Sequence, residues 1–145
     1  MDQISKGDLN TVYNGEQMAV DVYERIIKDV KDIELKQDLT KLMQDHLRHM
    51  QDIEVYMNFA GIKPNGEIPF ADTFVNIKLM FENQFKTDDE ILQTAAQGER
   101  MGVDTYRKIY PAIKNQEARE LLGNIINKDQ RIVEKLDSLA KNYKN

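Results

Sequence analysis

The sequence contains no cysteine and no tryptophan, only two histidines and only three prolines. Without cysteine there is no disulfide, no thiolate metal site and no thiol nucleophile, so any metal must be held by Asp, Glu and His. No run approaches the ~18 consecutive apolar residues of a membrane-spanning helix, and the opening MDQISKGDLN lacks the apolar stretch of a signal peptide. Lys and Arg number 20 against 25 Asp and Glu, and the resulting charge of −5 argues against nucleic acid as a partner. Serine is scarce and none has a histidine beside it, so a hydrolytic triad has no support; glycine-rich phosphate loops are missing as well. These exclusions point to a soluble chain, expected in the cytoplasm, with its 145 residues forming one domain large enough to bury a core.

What is present is helical periodicity. A first stripe runs Leu9, Val12, Glu16, Ala19, Tyr23, Ile26, Val30, and a second Leu35, Leu39, Leu42, His46, His49, Ile53, Tyr56, Ala60, closed by Gly61. A third runs Leu92, Ala95, Glu99, Gly102, Tyr106, Ile109, Ile113, which Pro111 should end early. The fourth is Ala118, Leu122, Ile125, Asp129, Ile132, Leu136, Leu139, Tyr143. Spacings alternate three and four throughout, and four such amphipathic helices predict an all-α, four-helix bundle.

The chain also repeats itself. NGEQMAVDVYERI (14–26) aligns with QGERMGVDTYRKI (97–109) at an offset of 83 with seven identities in thirteen residues. The same offset pairs Leu39 with Leu122, His46 with Asp129 and His49 with Ile132. The domain therefore reads as two related antiparallel hairpins, with short connections expected around Asp32–Glu34 and Lys114–Gln116. A two-fold relation between the hairpins demands a long crossover, residues 61–87, between the second and third long helices. Pro64, Gly66 and Pro69 break its start, after which Phe70, Phe74, Ile77, Phe81 and Phe85 predict a short amphipathic helix. This segment is expected to be a lid on the bundle; the alternative is the interface of a homodimer.

Glu16, Tyr23, His46, His49, Glu99, Tyr106 and Asp129 all fall at inward positions near mid-helix. Carboxylates are almost never fully buried alone, and an isolated buried charge costs several kcal/mol. These groups are expected to meet in one layer and balance one another. Three carboxylates sum to −3; one divalent cation brings this to −1 and two bring it to +1, while two protonated histidines without metal also give −1. Oxygen and imidazole donors of this kind suit iron, manganese or zinc.

With these residues the chain resembles the ferritin-like superfamily, in particular the rubrerythrin branch and its small bacterial relatives. That resemblance implies a ferritin-like bundle with a di-iron or di-manganese site, one Glu from each of the first and third long helices and Glu-x-x-His from each of the other two. Glu16 with Tyr23 and Glu99 with Tyr106 match a Glu-x6-Tyr feature frequent in that branch, whose tyrosine supports the ligands by hydrogen bonding. The sequence departs from the pattern where Glu-x-x-His becomes His46-Leu47-Arg48-His49, and again where it becomes Asp129-Gln130-Arg131-Ile132. Asp45 points about 100° away around the helix and is a poor substitute. The expected ligands are Glu16, His46, His49, Glu99 and Asp129, holding one or two iron or manganese ions. Reaction with dioxygen or peroxide, or iron handling in stress, is what the resemblance implies, as an oxidoreductase of rubrerythrin type. With no C-x-x-C pair to carry a rubredoxin module, electrons would come from a separate donor. The alternative is a metal-free structural or protein-interaction bundle that keeps a degenerate site.

Overall fold

In a computed structural model of the chain, each sequence stripe winds into a helix whose apolar side faces the others. The structure describes residues 3–62, 70–82, 85 and 87–142, with side chains from Leu9 onward. Pro64, Gly66, Pro69 and Tyr143 lie outside the described residues. The elements are α1 (Gln3–Asp29), α2 (Ile33–Phe59), α3 (Ala71–Leu79), α4 (Asp88–Ile109) and α5 (Gln116–Asn142), with a single 3-10 turn, Tyr110–Ala112, between the last two. No strand occurs among the described residues, and no helix there is long and apolar enough to cross a membrane. The chain folds as an all-α helical bundle.

Local chemistry sets the helix ends. Asp32 caps α2, its carboxylate accepting from the Leu35 amide at 2.9 Å, and Asn115 does the same for Ala118 at 3.0 Å. Both connections therefore end earlier than expected from the stripes, at residues 32 and 115. At the other end of α2, Ile62 N–H donates to the Met57 carbonyl at 2.8 Å and Gly61 N–H to Asn58 at 3.2 Å. With Gly61 at φ +71° and Ile62 buried, this is a Schellman closure. Pro111 sits in the 3-10 turn, and α4 stops before it at Ile109.

Cross-helix bonds give the directions. On α1 and α2, Tyr13 meets Glu54 and Glu16 meets His49, so residue numbers run in opposite senses. On α1 and α4, Tyr23 meets Glu99 and Tyr106 meets Glu16, again in opposite senses. Arg100, bonded to both carboxylate oxygens of Asp137 at 2.6 Å, relates α4 to α5 in the same way, together with Arg119 stacked 5.0 Å over the Tyr110 ring. Helices α2 and α4 thus run parallel, and the segment joining them must travel back along the bundle. At the end it reaches, Asp88 accepts from the backbone amides of Lys31 and Asp32 at 3.0 and 3.1 Å, tying the start of α4 to the first hairpin's turn.

Part of that return is α3, shorter than its stripe suggests. It loosens after Leu79 into turns in which Met80, Phe81 and Glu82 each bond back three residues. This winding keeps Phe74, Ile77 and Phe81 in one buried row, while Phe70, Val75 and Leu79 stay exposed on the other side. The row seats on two glycines related by the repeat. A Cβ on Gly15 would strike the Tyr106 hydroxyl and come within 2.9 Å of the Phe74 ring; a Cβ on Gly98 would meet Ile77 at 3.3 Å and Phe81 at 3.4 Å. Alanine in place of a mid-helix glycine gains about 1 kcal/mol, whereas overpacking costs about 1–3 kcal/mol. Gly98→Ala should therefore melt within a few degrees of wild type, and Gly15→Ala clearly below both. Thermal denaturation of the two variants side by side checks this, and equal melting would remove Gly15's role as a seat.

Candidate metal centre

The inward polar residues converge at mid-height of the bundle. Glu16, His46, His49 and Asp129 are each at most 2% exposed, and Tyr23 and Tyr106 are equally buried. They reach the same level because α1, α2 and α5 each contribute from positions that the heptad-like spacing turns inward. On α2 the three-residue step from His46 to His49 places both imidazoles on one face.

Glu16 is the hub. Its Oε1 lies 3.1 Å from His46 Nδ1 and 2.5 Å from His49 Nδ1, and its Oε2 accepts from the Tyr106 hydroxyl at 3.0 Å. Asp129 Oδ1 approaches the same two nitrogens, 3.3 Å from His49 Nδ1 and 3.7 Å from His46 Nδ1. Neither approach has hydrogen-bond geometry, so this oxygen is fully buried without a partner. The other edge of His46 faces α4, where Nε2 sits 2.7 Å from Glu99 Oε1. Glu99 also accepts from the Tyr23 hydroxyl at 3.0 Å. The tyrosines are thus exchanged between halves, each repeat's Tyr donating to the other repeat's Glu.

The electrostatics follow from this packing. Burial alone would raise the Glu16 carboxyl, but the charge and hydrogen bonds of His46, then His49, hold it well below the usual carboxylate range. For His46, burial works against the charged form and is outweighed by Glu99, Glu16 and Asp129, so its pKa rises well above 6.5. His49, pulled down by burial and pushed up by the adjacent Asp129 and Glu16 carboxylates, rises to about 9. Asp129 is raised well above 3.8 by burial and by the neighbouring Glu16 charge. Burial, followed by the adjacent glutamates, likewise keeps Tyr23 and Tyr106 protonated as donors.

Glu16, His46, His49 and Asp129 can each offer one ligand atom such that all four lie within 4.8 Å of one another. Donor atoms about 2.1 Å from an ion in tetrahedral array stand roughly 3.4 Å apart. Three of the four separations between these nitrogens and oxygens, 3.1, 3.3 and 3.7 Å, bracket that value, and the fourth, His49 to Glu16 at 2.5 Å, is shorter. With two imidazoles and two carboxylate oxygens, one of them the orphaned Asp129 Oδ1, the set fits a divalent transition metal. Asp129, expected as a ligand with Glu16, His46 and His49, stands with them in this group of four. Glu99, expected as a ligand, stands across the imidazole from it. Asp45, about 40% exposed, pairs with Arg48 at 3.2 Å and takes no part.

Beside these groups is a cavity of about 30 Å³, bounded by Tyr23, His46, Glu99 and Tyr106 and roofed by Phe74 and Phe81. A water needs at least about 10–15 Å³, so the space admits one or two molecules of that size. The roof was not readable as part of the site from the sequence; the signal available was that Gly15 and Gly98 hold the same place in both repeats. The family described as a domain of unknown function (DUF2383) matches residues 6–112, a span that includes Glu16, His46, His49 and Glu99 and ends before Asp129. No curated protein and no solved structure matches the chain.

Proposed function

The chain belongs to the DUF2383 family, and we propose that it is a metal-binding protein of ferritin-like, rubrerythrin-related build, holding one iron or manganese ion in the bundle core. The observation that carries this reading is the convergence of Glu16, His46, His49 and Asp129 within 4.8 Å, with Asp129 Oδ1 buried and unbonded. The internal repeat, the crossover between α2 and α4 and Glu-x6-Tyr in both halves support the ferritin-like build. A single ion is favoured over two because Ile132, 4% exposed, stands where the repeat would place the second half's imidazole.

Such an ion supplies one-electron redox chemistry toward a small oxidant such as dioxygen or peroxide. The residues around it do the rest. Phe74, Ile77 and Phe81 keep bulk water from the α1–α4 side, and the small cavity beneath them limits what can approach. Tyr106 holds the Glu16 carboxylate in place. No cysteine is present to carry electrons, so a separate donor serves any turnover.

A metal-free structural bundle is the second reading, favoured by one observation: the imidazolium forms of His46 and His49 already satisfy Glu16. Elemental analysis of protein purified without tag or chelator, followed by loading with Fe(II), Mn(II) or Zn(II), separates the two. One ion per chain in wild type, lost in His49→Ala, is expected. Failure of all three ions to load at stoichiometric level would leave the structural reading standing alone.

A further inference from the structure

The two glutamates are equivalent in the repeat but not in the structure, and His46 makes the difference. Its ring spans them, Nδ1 toward Glu16 at 3.1 Å and Nε2 toward Glu99 at 2.7 Å, so imidazole fills the space between the two carboxylates. An imidazole has a single lone pair to give once its other nitrogen carries hydrogen. The Nδ1 edge faces the Glu16–Asp129 side, where the four candidate ligands converge; the Nε2 edge faces Glu99, which is outside that group. Glu99 is itself fixed by the Tyr23 hydroxyl at 3.0 Å, so the chain Tyr23–Glu99–His46 crosses from α1 through α4 to α2.

We propose that Glu99 is a positioning residue rather than a ligand: it accepts the Nε2 proton of His46 and so fixes both the tautomer and the ring angle that present Nδ1 to a metal ion. This rests on the metal-binding reading above. A carboxylate behind a ligating histidine is a recurrent device, and its loss lowers metal affinity by about 10–100-fold. In this chain the device follows from His at position 46, which places a ring between two carboxylates that the repeat alone would have left facing one another.

The test uses the full chain loaded with Co(II), whose visible spectrum reports ligand number, with binding measured by titration against a competing chelator. Glu99→Leu removes the acceptor; Glu99→Gln keeps a carbonyl oxygen that can accept from Nε2. Wild type and both variants should bind one Co(II) per chain with the same visible spectrum. Affinity should fall by about 10–100-fold in the Leu variant and return to within a few-fold in the Gln variant. A ligand role for Glu99 predicts otherwise, and overturns the proposal: Gln as damaging as Leu, with a changed spectrum, or two ions in wild type and one in either variant. Wild type that binds no Co(II) overturns the metal-binding reading itself, and the inference falls with it. Circular dichroism melts of the metal-free variants identify any that lose affinity by unfolding, and the Gln variant then decides.

Discussion

Glu16→Ala should be the most damaging single substitution in the metal-free protein, costing about 3–5 kcal/mol. One carboxylate satisfies three buried donors, His46 Nδ1, His49 Nδ1 and the Tyr106 hydroxyl. Removing it takes the hydrogen-bond acceptor from both imidazoles and leaves Tyr106 only the Val12 carbonyl at 3.2 Å, in a core where Glu16 itself is only 1% exposed. Deprotonation of one or both imidazoles limits the charge penalty, but the unbonded polar groups remain. Against a total stability of roughly 5–15 kcal/mol this loss is large. At about 2–4 °C per kcal/mol for a chain of this size, the melting midpoint should fall by on the order of 10 °C. Asp129→Asn supplies the contrast. Its Oδ1 has no hydrogen bond, and its surroundings already disfavour the charged form, so the neutral amide should melt within a few degrees of wild type. Equal losses for the two variants in a thermal scan would show that Glu16 is not the hub of this layer.

The difference between these two carboxylates marks where sequence reasoning stopped. Spacings of three and four fix the angular position of a side chain on its helix, and that was enough to turn Glu16, His46, His49 and Asp129 inward. The offset of 83 fixed their relative heights, because it aligned His46 with Asp129 and Glu16 with Glu99. What periodicity does not carry is which nitrogen of His46 faces which carboxylate. That is set by ring rotation and by differences of about an ångström in helix approach, and the repeat, being symmetric, treats Glu16 and Glu99 alike. The asymmetry enters only where the residue types differ, at His49 against Ile132 and at His46 against Asp129. The roof shows the same limit from another direction. A phenylalanine row was legible in the crossover, but its seating on Gly15 and Gly98 is a long-range contact with no local signature. Asp88, which bonds the amides of Lys31 and Asp32 from more than fifty residues away, went unseen for the same reason.

Between pH 6.5 and 9 the metal-free protein should lose stability, and a bound divalent ion should abolish most of that slope. His49 faces Glu16 on α1 and Asp129 on α5, beside the ring of His46, and its pKa is held up to about 9 from 6.5. The folded state therefore keeps a proton that the unfolded chain releases at lower pH. The resulting stabilisation is complete below 6.5 and is lost as the pH climbs through 9. At about 1.4 kcal/mol per unit, that interval corresponds to roughly 3 kcal/mol. His46, raised by Glu99, Glu16 and Asp129, adds in the same direction. Glu16 and Asp129 oppose each other. The lowered Glu16 contributes stability that disappears as the pH falls below 4.5, and the raised Asp129 contributes stability that declines as the pH rises above 3.8. Metal ligation requires neutral imidazole, so an ion competes with the very protons that stabilise the empty core. Loading near pH 7 should release at least one proton per ion, measurable by calorimetry in buffers of different ionisation enthalpy. The gap in melting temperature between loaded and metal-free protein should widen steadily toward pH 9. A metal-free melting temperature that stays level across this range would mean that the two histidines are neutral in the folded core, and that the close approaches to Glu16 are held by something other than imidazolium charge.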